Sequence, residues 1–215
     1  MRCFLGFELD EGCRELMRVR VEPFYNELQR SMGWPVRLVP PGNWHMTGLF
    51  FKDLGDAERA AVWQEALRNV AAGVWNDIFF PFERLSLWPE PRRPSLICIA
   101  APEWPGAAQW PLAQRLDEEP FSKGDTAHLR AFRPHITLMR FRGGAVRPYW
   151  REWQALGDRV PAIPPTAVRF NRVSLFLSDV SPAKPIYPRE YTAPLKSSQR
   201  PQDMLRRPAA LMLEE

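Results

Sequence analysis

Asn43-Trp44-His45-Met46-Thr47 and Phe132-Arg133-Pro134-His135-Ile136-Thr137-Leu138-Met139-Arg140 carry the same short pattern, His-x-Thr, with the two histidines 90 positions apart. On a β-strand, residues i and i+2 project from one face about 6.6 Å apart, so each histidine shares a face with its threonine. Met46 and Ile136 then point the opposite way, into packing. Two such strands, side by side or facing across a groove, bring two imidazoles and two hydroxyls to one small anion.

Those residue types suit phosphodiester chemistry. Cleavage without a metal needs a base to take a proton from water and an acid to give one to the departing alkoxide. Histidine serves either role near neutral pH. Threonine hydroxyls can donate to nonbridging phosphate oxygens, where charge must be held through the transition state. Thr occupies 5 of 215 positions, so two of three histidines having Thr two places on is a coincidence of order ~0.002. A single histidine on a strand is more often an ordinary core or edge residue; the matched pair favours a site.

Outward from the motifs, the chain reads as strands and helices in a repeated plan. Cys3 to Leu9 is an apolar run, and Asp10 suits the N-cap of a helix with Leu16, Phe24, Leu28 and Met32 on its inner side, broken or bent at Pro23. Pro35 to Val39 and Trp44 to Phe51 read as strands joined by a Pro40-Pro41-Gly42 turn. Asp56 is expected to cap a helix with Val62, Ala66 and Val70 at every fourth position, ended by Gly73. Ile78 to Trp88 and Ser95 to Ala101 predict a strand pair around a proline-rich connection. Further on come a helix over about Gln109 to Glu119, a polar loop over Pro120 to Arg133, and strands over Pro134 to Phe141 and Thr166 to Leu177. Each half holds strands, a helix and one histidine-bearing strand, which predicts a pseudo-symmetric, two-lobed α+β fold. The expected organisation is one domain over 1–195 and a tail over 196–215.

Composition bounds the class. The chain has 215 residues, 45% of them hydrophobic, enough for a real core. A signal peptide and a continuous apolar span of roughly 20 residues are both missing from the sequence, which predicts a cytoplasmic protein without membrane association. Cys3, Cys13 and Cys98 lack metal-ligand spacing and read as small hydrophobes. The net charge is +4 and 25 of the 29 basic residues are Arg, which permits a polyanionic partner without requiring one. Glycine-rich phosphate loops, metal-ligand clusters and Ser–His–Asp orders find no foothold, and no cofactor is implied.

The two motif segments, together with Arg2-Cys3-Phe4-Leu5-Gly6-Phe7-Glu8-Leu9 at the start, resemble those of the two-histidine phosphoesterase superfamily, in particular the RNA 2′,3′-cyclic phosphodiesterases also described as RNA 2′-5′ ligases. The resemblance spans about residues 1 to 180. It implies two lobes with antiparallel sheets, flanked by helices, around a central cleft, and opening of an RNA-terminal 2′,3′-cyclic phosphate to a 2′-phosphate by a monomer. It also implies that His45 protonates the departing 3′ oxygen, His135 activates water, and Thr47 and Thr137 bind the phosphate. The first motif departs from the family in Gly48, where a bulky apolar residue is usual; altered packing is expected there rather than lost chemistry.

Around the pair, Arg130 and Arg133 are candidates to hold phosphates of an RNA 3′ end or of a nucleotide bearing a cyclic phosphate. Phe132 is a candidate base-stacking residue, although a phenylalanine beside a strand start is more often core. Arg140 reads as solvated or structural, Trp44 as packing, and His128 as a loop residue outside the site. Two other functions remain open: a phosphodiesterase for another small cyclic nucleotide, and a non-catalytic module that binds an RNA end or nucleotide. A purely structural role for the motifs would need their strands to lie far apart.

Overall fold

The computed structural model describes residues 1–73, 75, 78–80, 84–100, 134–142, 149–163, 168–178 and 187–197. In chain order the elements are β1 (Cys3–Leu9), α1 (Glu11–Asn26), β2 (Val36–Leu38), β3 (His45–Phe51), α2 (Asp56–Ala71), β4 (Ile78–Phe80), β5 (Leu85–Glu90), β6 (Arg93–Ala100), β7 (His135–Phe141), α3 (Tyr149–Leu156), β8 (Val168–Leu177) and β9 (Arg189–Pro194). The nine strands form one sheet in the order β4-β8-β1-β3-β7-β6-β5, with β2 also on β7 and β9 also on β8. Every pairing is antiparallel. The α+β class holds, and the sheets expected for the two lobes are joined edge to edge at a bridge between Met46 and Ile136.

One face of the sheet is the core. Leu5, Phe7 and Leu9 of β1, Met46 and Leu49 of β3, Ile136 and Met139 of β7, and Val173 and Leu175 of β8 are all buried against the helices. From α1 they meet Met17, Val21, Phe24 and Leu28, and from α2 they meet Val62, Ala66 and Val70. Each such side chain contributes about 1.5–3 kcal/mol by leaving water. The expected inner side of α1 holds at Phe24 and Leu28, with Met32 partly buried against the core, but not at Leu16, which is exposed while Met17 is buried.

Local chemistry explains the element ends. Asp10 caps α1, its carboxylate accepting from the Gly12 amide at 3.0 Å. Pro23 does not break that helix, which runs on to Asn26 and continues as a π-helical stretch over Glu27–Ser31. A proline removes one N–H bond, whereas Val21, Phe24 and Leu28 on either side of it hold the helix to the sheet. The cap of α2 is Gly55, with Asp56 the first helical residue, and Glu58 reaches back to accept from the Gly55 amide at 2.6 Å. Gly73, at φ 73°, ends α2 as expected.

The Ile78–Trp88 run splits into two strands at opposite ends of the sheet, β4 on β8 and β5 on β6. Pro81, between them in sequence, lacks the N–H that a continuous ladder needs. Two elements had no counterpart in the sequence reading: α3, fixed by an indole bond from Trp34 Nε1 to Glu152 at 2.8 Å, and the edge strand β9. The helix expected over Gln109 to Glu119, the loop over Pro120 to Arg133 and most of the tail lie outside the described residues. Among the described residues, no helix is long and apolar enough to cross a membrane.

Met46 and Ile136 are fully buried beneath the bridge that joins the two halves. Met46→Ala or Ile136→Ala should each cost about 2–5 kcal/mol of stability, read from urea unfolding. A cost below about 1 kcal/mol would show that this junction is not close-packed core.

Candidate active site

The Met46–Ile136 bridge places the two His-x-Thr units against each other. The strands are antiparallel, so one step either side of the bridge sets His45 opposite Thr137 and Thr47 opposite His135. All four side chains leave the face opposite the core and stay partly exposed, while Met46 and Ile136 point into it. The result is a square with histidines on one diagonal and threonines on the other. Diagonal neighbours across an antiparallel pair lie about 7–8 Å apart, wide enough for one phosphate between the imidazoles. An in-line displacement at phosphorus needs its acid and its base on opposite sides, which the histidine diagonal supplies.

A β-bulge follows each threonine. In β3, Leu5 pairs with Leu49 and Gly6 with Thr47, which leaves Gly48 as the extra residue. In β7, Ile97 pairs with Met139 and Cys98 with Thr137, which leaves Leu138 as the extra residue. Gly48 thus occupies a bulge, and its counterpart Leu138 shows that the bulge itself is compatible with a bulky apolar residue. Each bulge shifts the phase of its strand by one. Without it, Arg140 would face the core; with it, Arg140 joins Thr137 on the site face, and its charge is felt at His45. Arg140, read from the sequence as solvated or structural, thus shares the face of the motif residues. A one-residue bulge has no reliable signature in sequence.

Aromatic rings enclose the imidazoles. His45 packs against Phe4, with centroids 4.9 Å apart, and Phe176, at 5.1 Å, which also lie 4.9 Å from each other, with Tyr187 edge-on at 5.6 Å. Its Nδ1 lies 2.7 Å from the Asn43 carbonyl oxygen, so that nitrogen carries the proton and leaves the lone pair of the neutral ring on Nε2. Burial among the rings pushes the His45 pKa down to about 4, with His135 and Arg140 adding to the effect and the Asn43 carbonyl and Glu8 opposing it. His135 stacks on Trp88 at 5.0 Å with the planes 19° apart.

Beside His45 lies a buried ionic network. Glu8, opposite His45 in the β1–β3 ladder, is 2% exposed and accepts from the Ser174 hydroxyl and from Arg189 Nε at 2.9 Å. Although burial opposes ionisation, bonds from Arg189 and Ser174 and the charges of Arg189 and Arg172 hold its carboxyl below the usual range. Phe4, Trp88, Phe176, Tyr187, Glu8 and Arg189 escaped the sequence reading because strand order alone brings them here. Trp44 packs as expected, 1% exposed with its indole N–H donating to the Val39 carbonyl at 2.8 Å. Cys3 and Cys98 are buried thiols whose pKa burial raises to about 11. Arg130, Phe132, Arg133 and His128 lie outside the described residues. Among the described residues, no group of three or more His, Cys, Asp or Glu side chains could hold a metal ion.

The depressed His45 pKa has a consequence for stability. In the unfolded chain this histidine titrates near 6.5, so between about 6.5 and 4 the unfolded state binds the extra proton and stability falls as pH drops. Glu8 acts mostly below that window, since a depressed carboxyl loses its contribution only as pH falls under the ordinary carboxylate range. His45→Gln should flatten the slope of urea midpoints between pH 6.5 and 4. An unchanged slope would show that His45 is not held neutral.

No family model matches the chain. The RNA 2′,3′-cyclic phosphodiesterase of Methanothermobacter thermautotrophicus is 29% identical over 191 residues, which cover 87% of this chain and 95% of that protein. Solved structures share the fold. The Thermus thermophilus protein TT0787 has a TM-score of 0.62 at 22% identity, covering 93% of this chain and all of that one. LigT of E. coli, solved with 3′-AMP, has a TM-score of 0.53 at 19% identity, covering 90% of this chain and 96% of that one. The chain, with its paired His-x-Thr motifs gathered on one face, is thus similar over most of its length to a curated RNA 2′,3′-cyclic phosphodiesterase and shares the fold of TT0787 and LigT.

Proposed function

We propose that the protein hydrolyses a terminal 2′,3′-cyclic phosphate of RNA to a 2′-phosphate end, without a metal, using His45 and His135 as its acid–base pair. The observation that carries this reading is the Met46–Ile136 bridge, which turns two distant motifs into one four-residue square. It is supported by similarity to a curated phosphodiesterase over most of the chain and by the 3′-AMP bound to an E. coli protein of the same fold.

In the proposed reaction, water attacks phosphorus as the bond from phosphorus to the 3′ oxygen breaks. One imidazole takes the proton from water and the other delivers a proton to the 3′ oxygen, so the pair exchanges protonation states over the turnover. Thr47 and Thr137 donate to nonbridging oxygens from the other diagonal, and Arg140 adds charge beside Thr137. His45 is assigned to the 3′ oxygen and His135 to the water. The resting His45 is neutral, so it must gain its proton with the substrate, whose anionic phosphate raises the pKa of an adjacent imidazole. A purely structural role for the motifs is set aside because their strands are hydrogen-bonded neighbours.

The test is incubation in excess chelator with an oligoribonucleotide ending in 2′,3′-cyclic phosphate, resolving products by phosphate position. A 2′-phosphate end, lost in His45→Ala and in His135→Ala, is the expected result; an intact ligand that still binds would replace catalysis with recognition. Sulfur in place of the 3′ oxygen separates the two roles, because a thiolate leaves without an acid. That substrate should restore turnover to His45→Ala and not to His135→Ala, and the opposite pattern would exchange the roles.

A further inference from the structure

Arg189, at the start of the last strand, reaches three supports of His45. Its Nε and Nη2 lie 2.9 and 2.7 Å from Glu8 Oε2, and Nη2 also donates to the Gly42 carbonyl at 2.7 Å. Its guanidinium sits over the Phe176 ring, 5.5 Å from the centroid. Gly42 belongs to the 3-10 turn Pro41–Asn43, and the next residue of that turn supplies the carbonyl that receives the His45 Nδ1 proton. Phe176 is one of the two rings stacked on the imidazole, and Glu8 stands opposite His45 in the ladder. One side chain thus fixes the turn that sets the tautomer, the ring that sets the imidazole plane, and the carboxylate beside it.

We infer that Arg189 is a positioning residue for His45, clamping the Pro41–Asn43 turn and Phe176 to the buried Glu8 carboxylate so that Nε2 is aimed at the phosphate. The inference rests on the reading of His45 as half of the acid–base pair. Glu8 is almost fully buried with both oxygens bonded, one by Ser174 and one by Arg189. A buried carboxylate that loses its cation is left uncompensated, and its field then acts on its neighbours. The charged and titratable groups around His45 are Glu8 from β1, His135 and Arg140 from β7, Arg172 from β8, Arg189 from β9 and Tyr187 just before it. Losing Arg189 leaves Glu8 next to His45 without its partner, which favours the imidazolium. Lysine keeps a charge but offers no planar fork to span Glu8 and Gly42 together.

The experiment compares wild type, Arg189→Lys, Arg189→Met and Glu8→Gln/Arg189→Met by two readouts. The first is the ring ¹⁵N spectrum of His45 across pH without ligand, which reports tautomer and protonation whether or not any substrate turns over. The second is kcat, KM and the pH profile on an oligoribonucleotide ending in 2′,3′-cyclic phosphate. We expect wild-type His45 in the Nδ1–H tautomer, and a mixed tautomer in both single variants. Their kcat should fall about 10- to 100-fold with KM changed less than about threefold, as for a misaimed catalytic group. Arg189→Met should also raise the pH at which His45 protonates, and Glu8→Gln/Arg189→Met should reverse that rise without restoring kcat. If Arg189→Met does not fold, Arg189→Lys decides. A wild-type tautomer and wild-type kcat in Arg189→Lys would overturn the inference. Absent turnover in wild type with an altered tautomer in the variants would overturn the proposed reaction and leave the positioning role standing.

Discussion

The backbone bridge between Met46 and Ile136 is the constraint on which the rest of the molecule depends. Antiparallel strands run in opposite directions, so two identical short motifs paired at their middle residues meet head to tail. Like side chains then fall on the diagonals of a square rather than opposite each other. The same pairing buries Met46 and Ile136 together beneath the square, so the contact that assembles the site also helps close the core. Slipping β3 against β7 by one residue would turn one motif into the core and the other toward solvent, so burial on one face protects the chemistry on the other.

The two halves of the sheet repeat this economy with local differences. Each histidine strand carries a bulge one residue past its threonine, at Gly48 and at Leu138, and each has a ring against its imidazole. The environments nonetheless diverge. His45 lies in an apolar cluster with Phe4 and Phe176, with its Nδ1 proton held by Asn43, whereas His135 lies on the face of Trp88.

Much of the plan was legible in the sequence because it depends on period. An apolar run gave β1, strand-like stretches gave β3 and β7, alternation gave β8, and fourfold spacing gave α2 with Val62, Ala66 and Val70 inward. That His45 shares a face with Thr47, and His135 with Thr137, was legible; the pairing of β3 with β7 that closes the square was not. What escaped was set by contacts between distant segments. Pro23 stays inside a helix because the sheet holds both sides of it; the Ile78–Trp88 run divides between two edges. Arg140 reaches the site through a bulge, and Glu8 meets Arg189 across 181 positions of chain.

If one phosphate spans the square, both imidazoles must sense it in the same binding event. The direct measurement is a ring ¹⁵N titration of the protein with a nucleoside 2′-monophosphate, the nucleotide form of the proposed product. The chain has 3 histidines, so few resonances need assigning. The His45 and His135 signals should move along one isotherm with a shared Kd, and that movement should vanish when Thr47 and Thr137 are both replaced by Val. Movement of only one of them, or two separate Kd values, would mean that the motifs do not form a single site.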